Sequence, residues 1–156
     1  MADIQEVTAR VNAARAVCTV PPVMELPKGE RGNPCFCPLG RAFRKGMSDT
    51  FFLAVGTNHL RLGSADANVS DIARRIQKVW GMEESKVKRE GKQFLVLPLP
   101  PELTQFVMQF DAGKLPEFEG EIEAAEKVRF DRLSRRLWNL TMEGLERLRG
   151  VNHQSI

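Results

Sequence analysis

The C-terminal stretch of this chain constrains its fold more than any other feature. From about Glu121, the residues Ile122, Ala125, Val128, Phe130, Leu133, Leu137, Leu140 and Leu148 fall near one stripe at helical spacing, and Trp138, Met142 and Leu145 widen it. Arg132, Arg135, Arg136, Asn139 and Glu146 fall opposite, and Gly150 is the expected stop. A helix of about 30 residues reaches about 45 Å. A 156-residue chain does not need that length to close its core, so half of the helix is expected to cover the domain. The remainder is expected to meet another chain, most simply a second copy through a two-fold helix pair. Gly144 beside the stripe marks a candidate bend or close helix contact.

Ahead of this element the apolar period alternates between helix and strand. Ile4, Val7, Val11, Ala14 and Cys18 predict a helix over residues 3–17, with Asp3 as its N-cap and Pro21-Pro22 barring continuation. Residues 21–34 are rich in proline and glycine and read as a connector with at most a short strand over Val23–Leu26. A short helix opens at Pro38 and stops at Gly46. The period then drops to two: Phe51–Val55 and Leu60–Leu62 predict a hairpin, followed by a loop over residues 63–68. Ser70 is the expected N-cap of a helix carrying Ile72, Ile76, Val79 and Trp80. A second hairpin is expected from Lys86–Arg89 and Gln93–Leu97, and a helix from Glu102 to Gly113 buries Leu103, Phe106, Val107 and Phe110. The fold class is therefore α+β, a small antiparallel sheet of two hairpins packed with short helices. The division expected is a compact domain over 1–119, the amphipathic helix over 120–150, and a disordered tail over 151–156.

Hydrophobic residues make up 42% and charged residues 28%, a globular composition. No apolar run approaches the roughly 18 to 20 residues that span a bilayer, so no membrane partner is expected. The acidic N-terminal segment lacks the basic and apolar regions of a signal peptide, and three cysteines are an odd, sparse set. The cytoplasm is the expected compartment.

Chemistry-bearing motifs are few. Cys18, Cys35, Cys37 and His59 could supply four zinc ligands, but C-x-C lacks the usual ligand spacing and no second close pair completes it. Cys37, just before a helix, would have its thiolate favoured by the helix dipole, yet it needs a base and only His59 lies near in sequence. The bland reading of both, a small buried residue, is the better one. No phosphate-binding glycine loop is present. Asp111, Glu117, Glu119, Glu121 and Glu123 read as a solvated acidic edge. Neither a cofactor, a metal nor a catalytic residue is therefore expected, and the chain reads as non-enzymatic.

Charge is the strongest functional signal. Between Arg31 and Lys92 there are 12 Lys/Arg against 6 Asp/Glu, while Gln93–Glu119 holds one Lys against four acids. Arg41, Arg44 and Lys45 lie on or after one helix; Arg74, Arg75 and Lys78 lie on another; Lys86, Lys88, Arg89 and Lys92 decorate the hairpin behind it. These ten residues are the candidate partner-binding face, although amphipathic elements need charge on their wet sides in any case. A small binding protein that contacts a host macromolecule, protein or nucleic acid, through this face is the first expectation, and a nucleic-acid-binding accessory or regulatory protein is the second. A cysteine-dependent enzyme or small-molecule binder centred on Cys37 is the third.

Two segments also carry a resemblance. Asn33-Pro34-Cys35-Phe36-Cys37-Pro38-Leu39-Gly40-Arg41-Ala42-Phe43-Arg44, with Leu53-Ala54-Val55-Gly56 and Leu60-Arg61-Leu62 behind it, resembles a C-P-[LI]-x-x-A-[LF]-[RK] helix leading into a V-x-V-G hairpin. Leu99-Pro100-Pro101-Glu102 through Phe106-Val107 to Phe110-Asp111-Ala112-Gly113 resembles an L-P-P-E-x-x-x-F-[IV]-x-x-F-D-x-G helix. In that order the pair is similar to a family of small uncharacterised proteins common in bacteriophage and actinobacterial genomes. The resemblance covers roughly residues 18–119, leaving the C-terminal helix outside it; the helix at 70–80 and the C-terminal helix depart from the pattern as additions. It implies a compact α+β core and a phage origin, and it transfers no active site.

Overall fold

The structure, a computed structural model, describes residues 2–48, 51–64, 68–90 and 94–149; for Phe52, Ser85 and residues 138–149 the description extends to the backbone alone. It is α+β. Helix α1 (Ile4–Val17) is followed by α2 (Pro38–Arg44), the hairpin β1 (Phe51–Val55) and β2 (His59–Ser64), and α3 (Val69–Val79). A one-turn 3-10 segment (Glu84–Lys86) leads into β3 (Lys88–Glu90) and β4 (Phe94–Pro98). Then come α4 (Pro101–Asp111), a second 3-10 turn (Pro116–Phe118) and α5 (Ala124–Arg149).

The two hairpins join into one antiparallel sheet of order β1-β2-β4-β3, because β2 pairs with β4 as well as with β1. Register aligns Leu53 with Leu62 and Val55 with Leu60, then Leu62 with Leu95 and Leu60 with Leu97. Paired residues share a sheet face. The centre of one face is thus aliphatic, flanked by Phe51 and Ser64 and, on β3, by Arg89, and on it Leu39 and Phe43 of α2, Ile76 of α3, Val7 and Val11 of α1, and Leu103 and Phe106 of α4 build the main core. The other face carries Ala54 and Phe94, which meet Leu133 and Leu137 of α5 in a separate, smaller cluster.

Local chemistry explains most element ends. Asp3 Oδ1 accepts the Gln5 and Glu6 amides and opens α1. The Cys37 sulfur accepts the Gly40 amide at 3.3 Å and Pro38 fills the first position of α2, which ends before Gly46 at φ 75°.

Four expectations require correction. Gly63 and Ser64 are not loop residues: they extend β2, because Ser64 pairs with Phe51 and Gly63 lies between Phe52 and Phe94. Asn68, not Ser70, caps α3, its Oδ1 accepting the Asp71 amide at 3.2 Å. The connector expected over residues 21–34 carries no strand at Val23–Leu26, where the Val23 N–H donates to Asn12 Oδ1 on α1 at 2.8 Å and its C=O accepts from Asn12 Nδ2 at 3.0 Å. Lys86 belongs to a 3-10 turn rather than to the second hairpin. Finally, α5 begins at Ala124, and among its described side chains the inward line is the buried Leu133 and Leu137 with the half-buried Phe130; Ala125 is exposed and Val128 is 54% exposed. At about 100° per residue, Val128 sits about 200° round the helix from Phe130. The expected stop at Gly150 and the tail at 151–156 lie outside the described residues.

Candidate interaction surface

The ten candidate cations do not form one face. On the α2 side, the backbone places Arg41 and Arg44 under α5, and both are engaged there. Arg41 donates through Nε and Nη2 to the two oxygens of Glu126 at 2.7 and 2.8 Å, and through Nη1 to the Lys28 carbonyl. That hydrogen bond holds the Glu126 carboxyl below its ordinary range, more than offsetting partial burial. Arg44 donates to the Leu53 carbonyl at 2.6 Å and to the Cys35 carbonyl. Its guanidinium lies 4.4 Å from the Phe130 ring centre and 5.4 Å from that of Phe36, and the two rings meet edge to face at 5.2 Å. Burial pulls the Arg44 pKa down to about 10. Lys127 adds an ion pair to Glu30 at 2.7 Å. Lys45 is exposed and lines, with Arg129, Glu126, Met47 and Phe51, a cleft of about 400 Å³ between α2 and α5. Arg129 was not among the candidates; its place beside the buried-face residue Phe130 was the available signal.

The α3 side displays its charges. Arg74, Arg75, Lys78, Lys86, Lys88 and Arg89 are all exposed. Arg74 pairs with Asp71 at 2.5 Å within the helix, and Arg89 donates to Ser70 Oγ at 3.0 Å, tying the edge strand to the first turn of α3. Between them runs a groove of about 540 Å³, lined also by Gln77 and Glu84 and floored by Ala73, Val87 and Leu95. Arg75 leaves this groove for the α1 side, where its charge reaches Cys18; burial nevertheless raises that thiol. Lys88 pairs with Val96 and Arg89 with Leu95, so the pleat sends the two to opposite sheet faces. Lys88 shares its face with Arg61, which donates to Glu90 at 3.2 Å. Lys92 lies outside the described residues.

The cysteines separate as well: Cys37, the N-cap of α2, lies in the main core, and Cys35, in the turn before it, packs against the α5 cluster. Burial pushes the Cys37 thiol up to about 11, overriding the amides of Gly40 and Leu39 that favour its thiolate. What the geometry shows for this thiol is a capping role, its sulfur accepting the Gly40 amide. Among the described residues no three His, Cys, Asp or Glu side chains come together to hold a metal, and His59 sits at the β1–β2 turn beside Asn58. No helix among the described residues is long and apolar enough to cross a membrane.

Sequence reasoning missed two further residues. Arg15, 3% exposed, donates to the Ala42, Phe43 and Pro21 carbonyls and closes the end of α2. Gln77, 0% exposed, belongs to the groove beside α3. Comparison of the chain with family models, with curated proteins and with solved structures returns no match.

Proposed function

We propose that this chain is a non-enzymatic binding protein that contacts an acidic protein surface through the cations of α3, the following 3-10 turn and β3. One observation carries the reading: Arg74, Lys78, Lys86 and Arg89 are exposed on neighbouring elements, whereas Arg41 and Arg44 are engaged inside the fold. A protein is favoured over nucleic acid by the charge mixture. Residues 68–90 hold six cations (Arg74, Arg75, Lys78, Lys86, Lys88, Arg89) against four acids (Asp71, Glu83, Glu84, Glu90), a net of +2. Polyanion affinity grows with each phosphate neutralised, so interleaved carboxylates work against it. The resemblance to small phage proteins makes a host protein, met in the cytoplasm, the partner of choice. Helix α5 is the proposed self-association element: Val128 is exposed on it, and by sequence Trp138, Met142 and Leu145 widen its apolar stripe beyond Leu137.

The test is capture from a bacterial lysate by the immobilised chain, compared with the triple variant Arg74→Glu, Lys78→Glu, Arg89→Glu. Loss of the captured protein with an unchanged circular dichroism spectrum is the expected result. Unchanged capture overturns the reading, and a co-eluting nucleic acid released steeply by salt replaces it with nucleic-acid binding. Light scattering that gives a monomer at all concentrations would remove the dimer.

A further inference from the structure

The end of α2 holds more positive charge than its neighbours neutralise. Arg15 donates to the Pro21, Ala42 and Phe43 carbonyls, and Arg44 donates to those of Cys35 and Leu53. Carbonyls satisfy N–H groups but carry no net charge, so neither guanidinium is compensated by them. Among the described residues neither forms an ion pair with a carboxylate. Glu126, whose charge reaches Arg44, is held by both oxygens on Arg41 at 2.7 and 2.8 Å.

This excess opens onto the cleft of about 400 Å³ between α2 and α5. Arg41, Arg44, Lys45 and Arg129 line it against the one carboxylate of Glu126 among the described residues, a net of +3. Lys45, from the end of α2, and Arg129, from α5, are exposed and free of carboxylate partners among the described residues. Arg15 stands behind the wall, its Nη2 4.0 Å from where a Cβ on Gly46 would lie. The last carbonyls of a helix repel anions, but here those of Ala42 and Phe43 are taken up by Arg15. Met47, Phe51, Phe130 and Leu133 make the rest of the wall apolar. Charges set in such a wall are screened less than charges on open surface.

Size and charge together define the occupant. The volume falls in the range of small-ligand pockets, roughly 300 to 1,000 Å³, so the cleft takes one small molecule rather than a polymer. A carboxylate would offset only one of the excess charges. A phosphomonoester carries about −1.5 to −2 at neutral pH and offsets most of them.

We propose that the cleft between α2 and α5 binds a small phosphomonoester, its phosphate held by Lys45 and Arg129 in the field of Arg44 and its apolar body laid against Phe51 and Phe130. The site is separate from the α3 surface and goes beyond the binding function proposed above. Arg41 and Arg44 keep their fastening bonds; the two exposed cations supply the new contacts.

The probe is phenyl phosphate, titrated at constant ionic strength into the full ¹⁵N-labelled chain. Saturating shifts of the Lys45, Gly46 and Arg129 amides are expected, with the α3 amides unmoved. Inorganic phosphate, which lacks the ring, and phenyl sulfate, which has less charge, should each bind several-fold more weakly. Lys45→Ala and Arg129→Ala should each weaken phenyl phosphate about tenfold, whereas Arg74→Ala should leave it unchanged. The ligand comparison needs no variant, so the proposal stays testable if a substitution disturbs the fold. Non-saturating shifts spread equally over α2, α3 and β3 would report charge alone and overturn it, as would unchanged affinity in both variants. Equal binding of inorganic phosphate or phenyl sulfate overturns it too, since the apolar wall or the extra charge would then play no part.

Discussion

Helices α2 and α3 are nearly indistinguishable as carriers of charge. Arg41, Arg44 and Lys45 lie on or just after one; Arg74, Arg75 and Lys78 lie on the other. Their fates differ because of what packs on them. Over α2 lies α5, which brings Glu126 to Arg41 and the Phe130 ring to Arg44. Beside the polar side of α3 stand the 3-10 turn and a three-residue edge strand, all of whose residues are exposed. A guanidinium among carbonyls and rings becomes a structural fastener; one beside a short wet strand remains available to a partner. Density of positive charge along the chain therefore locates candidates without distinguishing a fastener from a docking group.

Replacing Arg44 breaks the comparison most sharply. Arg44→Ala leaves the Leu53 and Cys35 carbonyls without their donor and removes the group between Phe36 and Phe130. Lost charge-assisted bonds and ring contacts together should cost on the order of 3 kcal/mol in urea unfolding. Arg44→Lys should recover only part of this, since one ammonium cannot fork to two carbonyls. Arg74→Ala, on the α3 side, should stay within about 0.5 kcal/mol.

Next in size is the Arg41–Glu126 pair. It is bidentate but partly exposed, so Glu126→Gln should cost roughly 1 kcal/mol. Because Arg41 holds Glu126 below the ordinary carboxylate range, the folded chain binds fewer protons there than the unfolded chain. The stabilisation is therefore complete above the ordinary pKa of 4.5 and is lost as pH falls through the lower folded value. Glu30 is lowered likewise, chiefly by the hydrogen bond from Lys127, so these two ion pairs that tie α5 to the rest of the chain both weaken in acid. Amide hydrogen exchange in the first half of α5 should quicken below pH 4.5, and less so in Glu126→Gln, which has already lost one titrating link.

These effects also explain what the residues alone could disclose. Elements were legible where a local rule decided them: Asp3 and Pro38 at helix starts, Gly46 after a helix, period two in both hairpins. That the two hairpins share one antiparallel sheet was also expected, but the strands that join them were not, since the register of β2 against β4 is a long-range choice. Ser70 and Asn68 are equally good caps, and only Arg89 arriving from β3 gives Ser70 a different task. The cations were found, but their division into two groups depends on α5 lying over α2, a contact more than eighty residues distant in sequence. Gln77 escaped notice because a glutamine on the polar side of an amphipathic helix looks like any solvated residue, and its burial comes from Glu83 and the 3-10 turn behind it.

The smallest effect tests the comparison most finely, because it separates neighbours. Lys88 and Arg89 are adjacent, equally charged and both exposed, and a reading by composition makes them equivalent. The pleat does not: Lys88 stands with Val96 and near the Arg61–Glu90 pair, while Arg89 stands with Leu95 and reaches Ser70. Neither substitution to alanine should move stability by more than about 0.5 kcal/mol. Partner capture should nevertheless weaken with Arg89→Ala and stay close to wild type with Lys88→Ala, scored by titrating the immobilised variants with the captured protein. Equal losses would mean that the partner feels only the summed field of the edge, whereas a loss confined to Arg89 ties recognition to the α3 face of the sheet.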